Sequence, residues 1–231
     1  MRGEIITALN QARRERRAAI VISDLAEGSQ EVLLEGAPVS RSDIAREVVR
    51  RFGSGKSGLV ETGGRELFFN VHMPPPRLVI IGAVHISQAL ASISHLAGFD
   101  TVVIDPRTAF ATPERFAGAT IHAEWPEEVL IKTPLDTFTA MAVLAHDPKI
   151  DDFPMMEALK AGCFYVGALG SRKTHAKRVD RLIKAGVAAE DIARIHAPIG
   201  LDIAAANPAE IAVAVMAEVI KSLRNRTGEL V

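Results

Sequence analysis

Cysteine is nearly absent from this sequence, and its scarcity excludes two kinds of structure. Cys163 is the only cysteine among 231 residues, so no disulfide can form within the chain. One thiolate is also too few for a zinc site built from cysteines alone. A single thiol is typical of a reducing compartment, and we expect the cytoplasm. Because Cys163 opens an apolar stretch, we expect it to be an inert core residue and not a catalytic thiolate.

A charge excess of one sign and long apolar runs are also lacking. The chain carries 27 basic and 28 acidic residues, so no overall charge favours nucleic acid or an anionic membrane. We interpret the basic run at residues 13–17 as the solvated end of a first helix. The longest apolar stretch, residues 211–220, contains Glu218 and is far shorter than a membrane span. We expect a soluble globular protein without a secretion signal.

What the sequence does contain is a strand, a turn and a helix of the kind that binds dinucleotides. An apolar run over residues 77–81 stops at Gly82, and the segment beyond it has apolar residues at helical spacing, from Ile86 to Leu96. A second apolar run ends in Asp105, about twenty residues beyond the turn, where a dinucleotide-binding unit places an acid that accepts hydrogen bonds from a ribose. The pattern therefore predicts a nucleotide-type ligand.

The turn itself departs from the dinucleotide fingerprint. Gly82 occupies the first glycine position, but Val84 and Ser87 stand at the second and third. The second glycine normally lets the backbone touch a pyrophosphate, and a β-branched side chain there crowds that approach. We therefore expect the fold of a dinucleotide-binding protein, with a plain NAD(P) site disfavoured by Val84.

The chain is predicted to contain two domains joined by a short linker. Residues 1–73 alternate between helical and strand patterns and indicate a small α/β domain, whose second helix is expected to begin at a Ser40–Asp43 capping pair. Residues 53–57 resemble the end of a phosphate-binding P-loop, but its first glycine would fall at Arg50, so we interpret them as a turn. Residues 74–76 are three prolines, a stiff connector to a domain at residues 77–231.

Strands and helices alternate after the linker, which predicts an α/β fold with a doubly wound, mostly parallel Rossmann-like sheet. The strands are expected at residues 77–82, 101–105, 120–123, 138–145 and 163–169. The longer helices are expected at residues 85–97, 151–162 and 173–185, with a last one beginning at Asn207-Pro208. We assign Trp125 and the apolar last helix to packing.

Polar residues follow almost every predicted strand, and in such a sheet the carboxyl ends of the strands share one rim where ligands bind. The expected binding residues are Gly82, His85, Asp105, Arg107, His146, Asp147, Gly170, Ser171, Arg172, His196, Gly200 and Asp202. The two arginines suit a phosphate, which a guanidinium binds through two hydrogen bonds. Gly170 and Ser171 precede a helix and offer backbone N–H groups to the same anion.

Several of these residues have a structural interpretation as well. The position of His85 is equally consistent with contact to a ligand and with a hydrogen bond to a nearby carbonyl. His146, Asp147, Asp151 and Asp152 have the chemistry of metal ligands. However, Asp152 is also the expected cap of a helix, so we favour structural use and expect no metal site.

Six motifs resemble the xanthine dehydrogenase accessory family, XdhC/CoxI. They are Gly82-Ala-Val-His-Ile, Val103-Ile-Asp-Pro-Arg107, Phe110-Ala-Thr-Pro-Glu-Arg-Phe116, Ala145-His-Asp-Pro-Lys149, Tyr165-Val-Gly-Ala-Leu-Gly-Ser-Arg172 and Arg194-Ile-His-Ala-Pro-Ile-Gly-Leu-Asp-Ile203. The resemblance covers most of residues 77–224, in order. It implies a Rossmann-like domain that serves as an accessory protein, more a cofactor-binding chaperone than a catalyst.

The resemblance also implies a ligand and partners. The ligand would be the molybdenum cofactor, as molybdopterin or a molybdopterin dinucleotide, delivered in its sulfurated form to an apo-enzyme such as xanthine or carbon monoxide dehydrogenase. Arg107 and Arg172 would then neutralise phosphate, Asp105 would engage a hydroxyl if the ligand carries a ribose, and His85, His146 and His196 would contact the pterin or the metal-oxo group.

This chain departs from the family pattern in two ways. Family members usually have glycine at the position of Val84, and many carry a Ser-Gly-Gly-Cys stretch in an N-terminal domain that residues 1–73 lack. Sulfuration would then need a sulfurtransferase or a cysteine-bearing family partner. A homodimer is also left open.

Two other functions remain as alternatives. One is an NAD(P)-dependent oxidoreductase with a degenerate dinucleotide loop and His146 or His196 as proton donor. The other is a nucleotide-sensing or scaffold protein.

Overall fold

The computed structural model describes residues 3–225, and these residues form two compact units. The first comprises residues 3–74 with residues 224 and 225, and the second comprises residues 75–223. Along residues 3–225, no helix combines the length and the apolar character needed to cross a bilayer.

The first unit is a small antiparallel sheet with two helices. Its elements are α1 (Gly3–Arg14), β1 (Ala19–Asp24), β2 (Gln30–Leu34), α2 (Ala45–Ser54), β3 (Gly58–Thr62) and β4 (Arg65–His72). The strands are ordered β2-β1-β4-β3. The expectation that α2 begins at a Ser40–Asp43 capping pair is wrong, because Asp43 accepts a hydrogen bond from the Arg41 guanidinium at 2.9 Å and the helix begins at Ala45.

The second unit is built around a six-stranded sheet. Its strands are β5 (Arg77–Ile81), β6 (Asp100–Ile104), β7 (Thr120–His122), β8 (Thr139–Val143), β9 (Tyr165–Ala168) and β10 (Ile195–His196). Every pairing is parallel, and the order is β10-β9-β8-β5-β6-β7. This is the strand order of a dinucleotide-binding fold. The sheet grows towards one edge from β5 and towards the other edge from β8, so the order of the strands reverses between these two.

Helices cover both faces of this sheet, which confirms the predicted fold class. They are α3 (His85–Leu96), α4 (Pro126–Lys132), α5 (Pro148–Lys160), α6 (Arg172–Lys184), α7 (Ala189–Ile192) and α8 (Pro208–Arg224). Side chains of neighbouring strand residues point to opposite faces. Leu78 and Ile80 therefore join the core under α3 and α8, and Val79 and Ile81 join the core under α4 to α7.

Two local predictions in this unit are wrong. The helix expected to begin at Asp151 and Asp152 begins at Pro148, because the Asp147 carboxylate accepts a hydrogen bond from Lys149 N–H and caps it. Asp152 lies inside α5 and forms an ion pair with Arg181. Trp125 is 45% exposed and is not a core residue, since it precedes α4 as its N-terminal flanking residue.

Candidate functional site

The turns after β5 and β8 meet where the strand order reverses. Gly82 has φ of +104°, and a Cβ there would lie 2.7 Å from the backbone nitrogen of Ala145. The β8 turn therefore packs directly on the β5 turn, and the first glycine of the sequence pattern is required by this approach as well as by its backbone angle. Ser87, at the third glycine position of the pattern, is buried and donates a hydrogen bond to the Gly82 carbonyl.

Asp105 joins the β6 turn to the β5 turn. Its Oδ2 accepts hydrogen bonds from Ala83 N–H and from Arg107 Nη2, both at 2.7 Å, and its Oδ1 accepts from Arg107 N–H and Nε, both at 2.9 Å. Burial by itself would raise the pKa of Asp105, but these hydrogen bonds outweigh it and hold the pKa below its usual value. With an exposure of 0%, Asp105 in this conformation positions Arg107 and offers no surface to a ribose.

Arg107 is the residue that Asp105 presents to solvent. Its side chain is 39% exposed, and its guanidinium lies 5.0 Å from the centre of the Phe110 ring. The carboxylate of Asp105 raises the pKa of Arg107, which therefore remains a fixed positive charge beside the β5 turn.

The β8 and β9 turns also come together. His146 is exposed with φ of +63°, and a Cβ on Gly170 would lie 3.8 Å from His146 Cε1 and 3.2 Å from the Thr174 side chain. Ser171 caps α6 by accepting a hydrogen bond from Thr174 N–H at 3.2 Å. The turns that follow the four neighbouring strands β9, β8, β5 and β6 are thus linked in space.

A pocket of about 290 Å³ opens beside His146, between α5 and α6. Its lining residues are His146, Pro148, Asp151, Lys173, Thr174, Lys177, Arg178 and Arg181. Four of these side chains are cationic, and all four belong to α6. These cations were not predicted as a group, although Lys173, Lys177 and Arg181 follow one another at four-residue spacing, which marks a basic stripe on one face of a helix.

Two ionisable groups of this pocket are buried. Arg178 is 2% exposed, and Asp151 is 2% exposed. The Arg178 Nη2 donates to the Leu169 carbonyl at 3.0 Å, but within residues 3–225 its Nε and Nη1 and the Asp151 Oδ1 have no hydrogen-bond partner. Burial raises the pKa of Asp151 to about 7, although the charge of Arg178 opposes this shift.

Three further predicted residues are exposed. His85 is the first residue of α3, directly after the β5 turn. Arg172 is the first residue of α6 but is not part of the pocket lining. Asp202 is exposed, and its carboxylate accepts from Ala204 N–H at 3.4 Å.

His196 and Gly200 contact Glu218 of α8. The Glu218 carboxylate lies 3.0 Å from His196 Nδ1 and accepts hydrogen bonds from the Tyr165 hydroxyl at 2.7 Å and from Gly200 N–H at 2.8 Å. Burial alone would raise the pKa of Glu218, but the hydrogen bonds from His196, Tyr165 and Gly200 lower it. In the sequence Glu218 is marked only by its place in an apolar helix, so this cluster was not predicted.

The side chains of residues 3–225 form no ready metal site. Among the described side chains, no group of three or more His, Cys, Asp and Glu residues is arranged to hold a metal ion. Of the four residues with metal-ligand chemistry, Asp147 caps α5 and Asp152 pairs with Arg181.

The family model described as the XdhC Rossmann domain matches residues 78–219. The chain belongs to this family. The resemblance found in the sequence is thereby confirmed, and the match falls within the unit that contains the rim and the pocket.

Curated relatives of this XdhC-family chain include three bacterial proteins. The uncharacterised protein YqeB of Escherichia coli (strain K12) is 36% identical over 73% of this chain and 31% of its own length. The molybdenum cofactor insertion chaperone PaoD of the same strain is 29% identical over 94% of this chain and 59% of its own. A probable xanthine dehydrogenase subunit from Bacillus subtilis (strain 168) is 31% identical over 64% of this chain and 43% of its own.

A solved structure supports the fold. The crystal structure of a protein described as a xanthine dehydrogenase from Bacillus halodurans superposes with a TM-score of 0.68 at 21% identity, covering 96% of this chain and 67% of that one. The XdhC-family chain spans between 31% and 59% of the length of the three curated relatives.

Proposed function

We propose that this protein binds a molybdenum cofactor of the molybdopterin type and assists its insertion into a molybdenum hydroxylase. The observation that carries the proposal is the meeting of the β5, β6 and β8 turns, where Gly82 packs on Ala145 and Asp105 holds Ala83 and Arg107. In open α/β sheets ligands bind in this crevice. The similarity to PaoD, named as an insertion chaperone, extends over 94% of the chain and supports the choice of ligand.

The side chains at this crevice suit such a ligand. Arg107 supplies a fixed positive charge with an adjacent exposed ring, Phe110, and His85 and His146 supply exposed imidazoles. We assign cofactor binding to residues 75–223, which contain all of these side chains.

Sulfur transfer by this chain itself is the less favoured part of the function. Cys163 is 2% exposed, and burial raises the pKa of its thiol to about 12. A thiol that stays protonated and inaccessible does not attack or carry sulfur. We therefore propose that the sulfur comes from a partner and that this protein performs binding and transfer of the cofactor.

The direct test is uptake of the cofactor. The protein is mixed with molybdenum cofactor released from a molybdenum hydroxylase and separated by gel filtration, and molybdenum and pterin are then measured in the protein fraction. We expect both to co-elute with the protein at one per chain. Their absence from that fraction contradicts the proposal.

Matched histidine substitutions locate the site. His146→Asn keeps a residue type that tolerates the positive φ, and we expect it to weaken cofactor binding roughly five- to tenfold, the loss of about one hydrogen bond. His95→Asn is the control, since His95 is exposed in the last turn of α3, at the opposite end from the crevice. Equal losses in the two variants would argue against this site.

Delivery is tested with an apo-hydroxylase. Cofactor presented on this protein should restore activity of a molybdenum-free xanthine dehydrogenase faster than the same amount of free cofactor. Equal rates of reactivation with bound and with free cofactor would be compatible with cofactor binding but would contradict a role in insertion.

A further inference from the structure

Arg178 is a buried charge whose hydrogen-bonding groups are not all used. Its residue exposure is 2%, and only the bond from Nη2 to the Leu169 carbonyl is formed, while Nε and Nη1 lack a partner among the described residues. Leaving charged donors buried without acceptors is costly, and native proteins rarely do so. Arg178 also lines the pocket between α5 and α6, so an anion that enters this pocket would lie beside its incompletely compensated charge.

The charge around Arg178 favours an anion as that acceptor. Lys173 and Lys177 also line the pocket, and both are exposed. Arg181 is neutralised by Asp152 through two hydrogen bonds of 2.6 and 2.9 Å. The remaining carboxyl that faces Arg178 is Asp151, which is protonated over part of the neutral range because burial raises its pKa to about 7.

The cations of the pocket narrow the class of anion. Guanidinium groups in proteins bind carboxylates and phosphates most readily, through charge-assisted hydrogen bonds. The two lysines favour the doubly charged phosphate, and the pocket lies beside the first turn of α6, where the helix dipole attracts anions. A volume of about 290 Å³ lies near the lower end for small-molecule sites, about 300 Å³, so part of an organic ligand can enter with the anion.

We propose that the pocket between α5 and α6 binds the phosphate group of a phosphomonoester, with Arg178, Lys173 and Lys177 as the positive charges that hold it. This inference rests on the proposed function, and it assigns the terminal phosphate of the pterin ligand to this pocket. His146 borders both the pocket and the crevice, so one ligand can occupy both. A nucleoside monophosphate carries the same chemical group, and competition between the two ligands separates these sources.

The first measurement is titration calorimetry of the full chain with inorganic phosphate at pH 6. We expect binding in the parent protein, a loss of at least tenfold in Arg178→Met, and a loss of at least fivefold in the double variant Lys173→Ala, Lys177→Ala. Lys184→Ala is the control, because Lys184 is an exposed cation in the last turn of α6, and it should bind phosphate like the parent.

The double variant keeps the test decisive if Arg178→Met does not fold, since both lysines are on the surface. Phosphate binding at parental affinity in the double variant overturns the inference. So does parental affinity in a folded Arg178→Met, or the absence of phosphate binding in the parent.

Competition identifies the source of the phosphate. Displacement of inorganic phosphate by molybdenum cofactor but not by AMP supports the assignment to the pterin ligand. Displacement by AMP but not by cofactor overturns that assignment. Cofactor uptake without any phosphate binding overturns the inference and leaves the proposed function standing. Phosphate binding without cofactor uptake supports a phosphate site in this pocket and contradicts the proposed function.

Discussion

The carboxylate of Asp105 accepts a hydrogen bond from the backbone N–H of Ala83 at 2.7 Å, so the end of one strand fixes the turn that follows its neighbour. The same carboxylate holds Arg107 through three hydrogen bonds. An acid at this position therefore acts first on the protein itself. It sets the shape of the β5 turn and the placement of the positive charge beside it.

Asp105→Asn should destabilise the protein by about 2 to 4 kcal/mol at pH 7, because the amide group presents donors to Ala83 or Arg107 in place of an acceptor. Chemical denaturation followed by circular dichroism measures the change. Asp180→Asn, an exposed substitution on α6, is the control and should stay within about 0.5 kcal/mol of the parent.

The pH dependence of the same variant supplies a second signature. Because the pKa of Asp105 is lowered in the folded state, its contribution is fully present above the unfolded pKa, about 3.9, and is lost as the pH falls through the folded value. Stability of Asp105→Asn should therefore decline less than that of the parent below pH 4. If the stabilities of the parent and of Asp105→Asn fell in parallel below pH 4, the stabilising role of the ionised Asp105 carboxylate would be contradicted.

Gly82→Ala should cost about 3 kcal/mol or more, since a Cβ would lie within 2.9 Å of three atoms of Ala145 and φ is +104°. Gly98→Ala separates the two causes. Gly98 has φ of +80° but nothing within 4 Å of its Cβ position, so only the backbone cost of about 1 to 2 kcal/mol remains. Similar losses at the two glycines would show that the contact with Ala145 is unimportant.

Asp151→Asn should stabilise the protein above pH 7 by about 3 kcal/mol. The folded pKa of Asp151 is raised to about 7, so folding favours its protonated form. The resulting stability is complete below the unfolded pKa of about 3.9 and is lost as the pH rises to 7. Urea denaturation at pH 4 and pH 8 tests the sign of the effect. The free energy of unfolding of the variant should exceed that of the parent at pH 8 and differ little from it at pH 4. A variant less stable than the parent at pH 8 would show that burial does not destabilise the ionised carboxylate of Asp151.

Glu218→Gln should cost about 2 kcal/mol or more, because its carboxylate has three donors, from Tyr165, His196 and Gly200. Tyr165→Phe removes one donor and leaves the other two in place, so we expect a smaller loss of about 1 kcal/mol. Thermal unfolding of both variants measures the difference. A larger loss of stability in Tyr165→Phe than in Glu218→Gln would contradict the Glu218 carboxylate as the centre of this cluster.

Local sequence patterns were sufficient for the fold class. Apolar runs of strand length that alternate with helical spacing after residue 76 can bury both faces only as a parallel sheet with helices on each side. The rim followed from the same pattern, since parallel strands end at one edge, and the structure links the turns at Gly82, Asp105, His146 and Gly170. Helix starts were less certain, because a proline after Asp147 moved α5 three residues earlier.

The sequence by itself thus determined the sheet, the family and the order of polar turns around the rim. Only the tertiary structure decided which charges meet: Arg178 borders a pocket where Arg172 was expected to act, and His196 faces Glu218, 22 residues away. The reason is physical. Burial and hydrogen-bond partners depend on how α5, α6 and α8 pack across the sheet, and that packing is set by contacts between residues far apart in the chain.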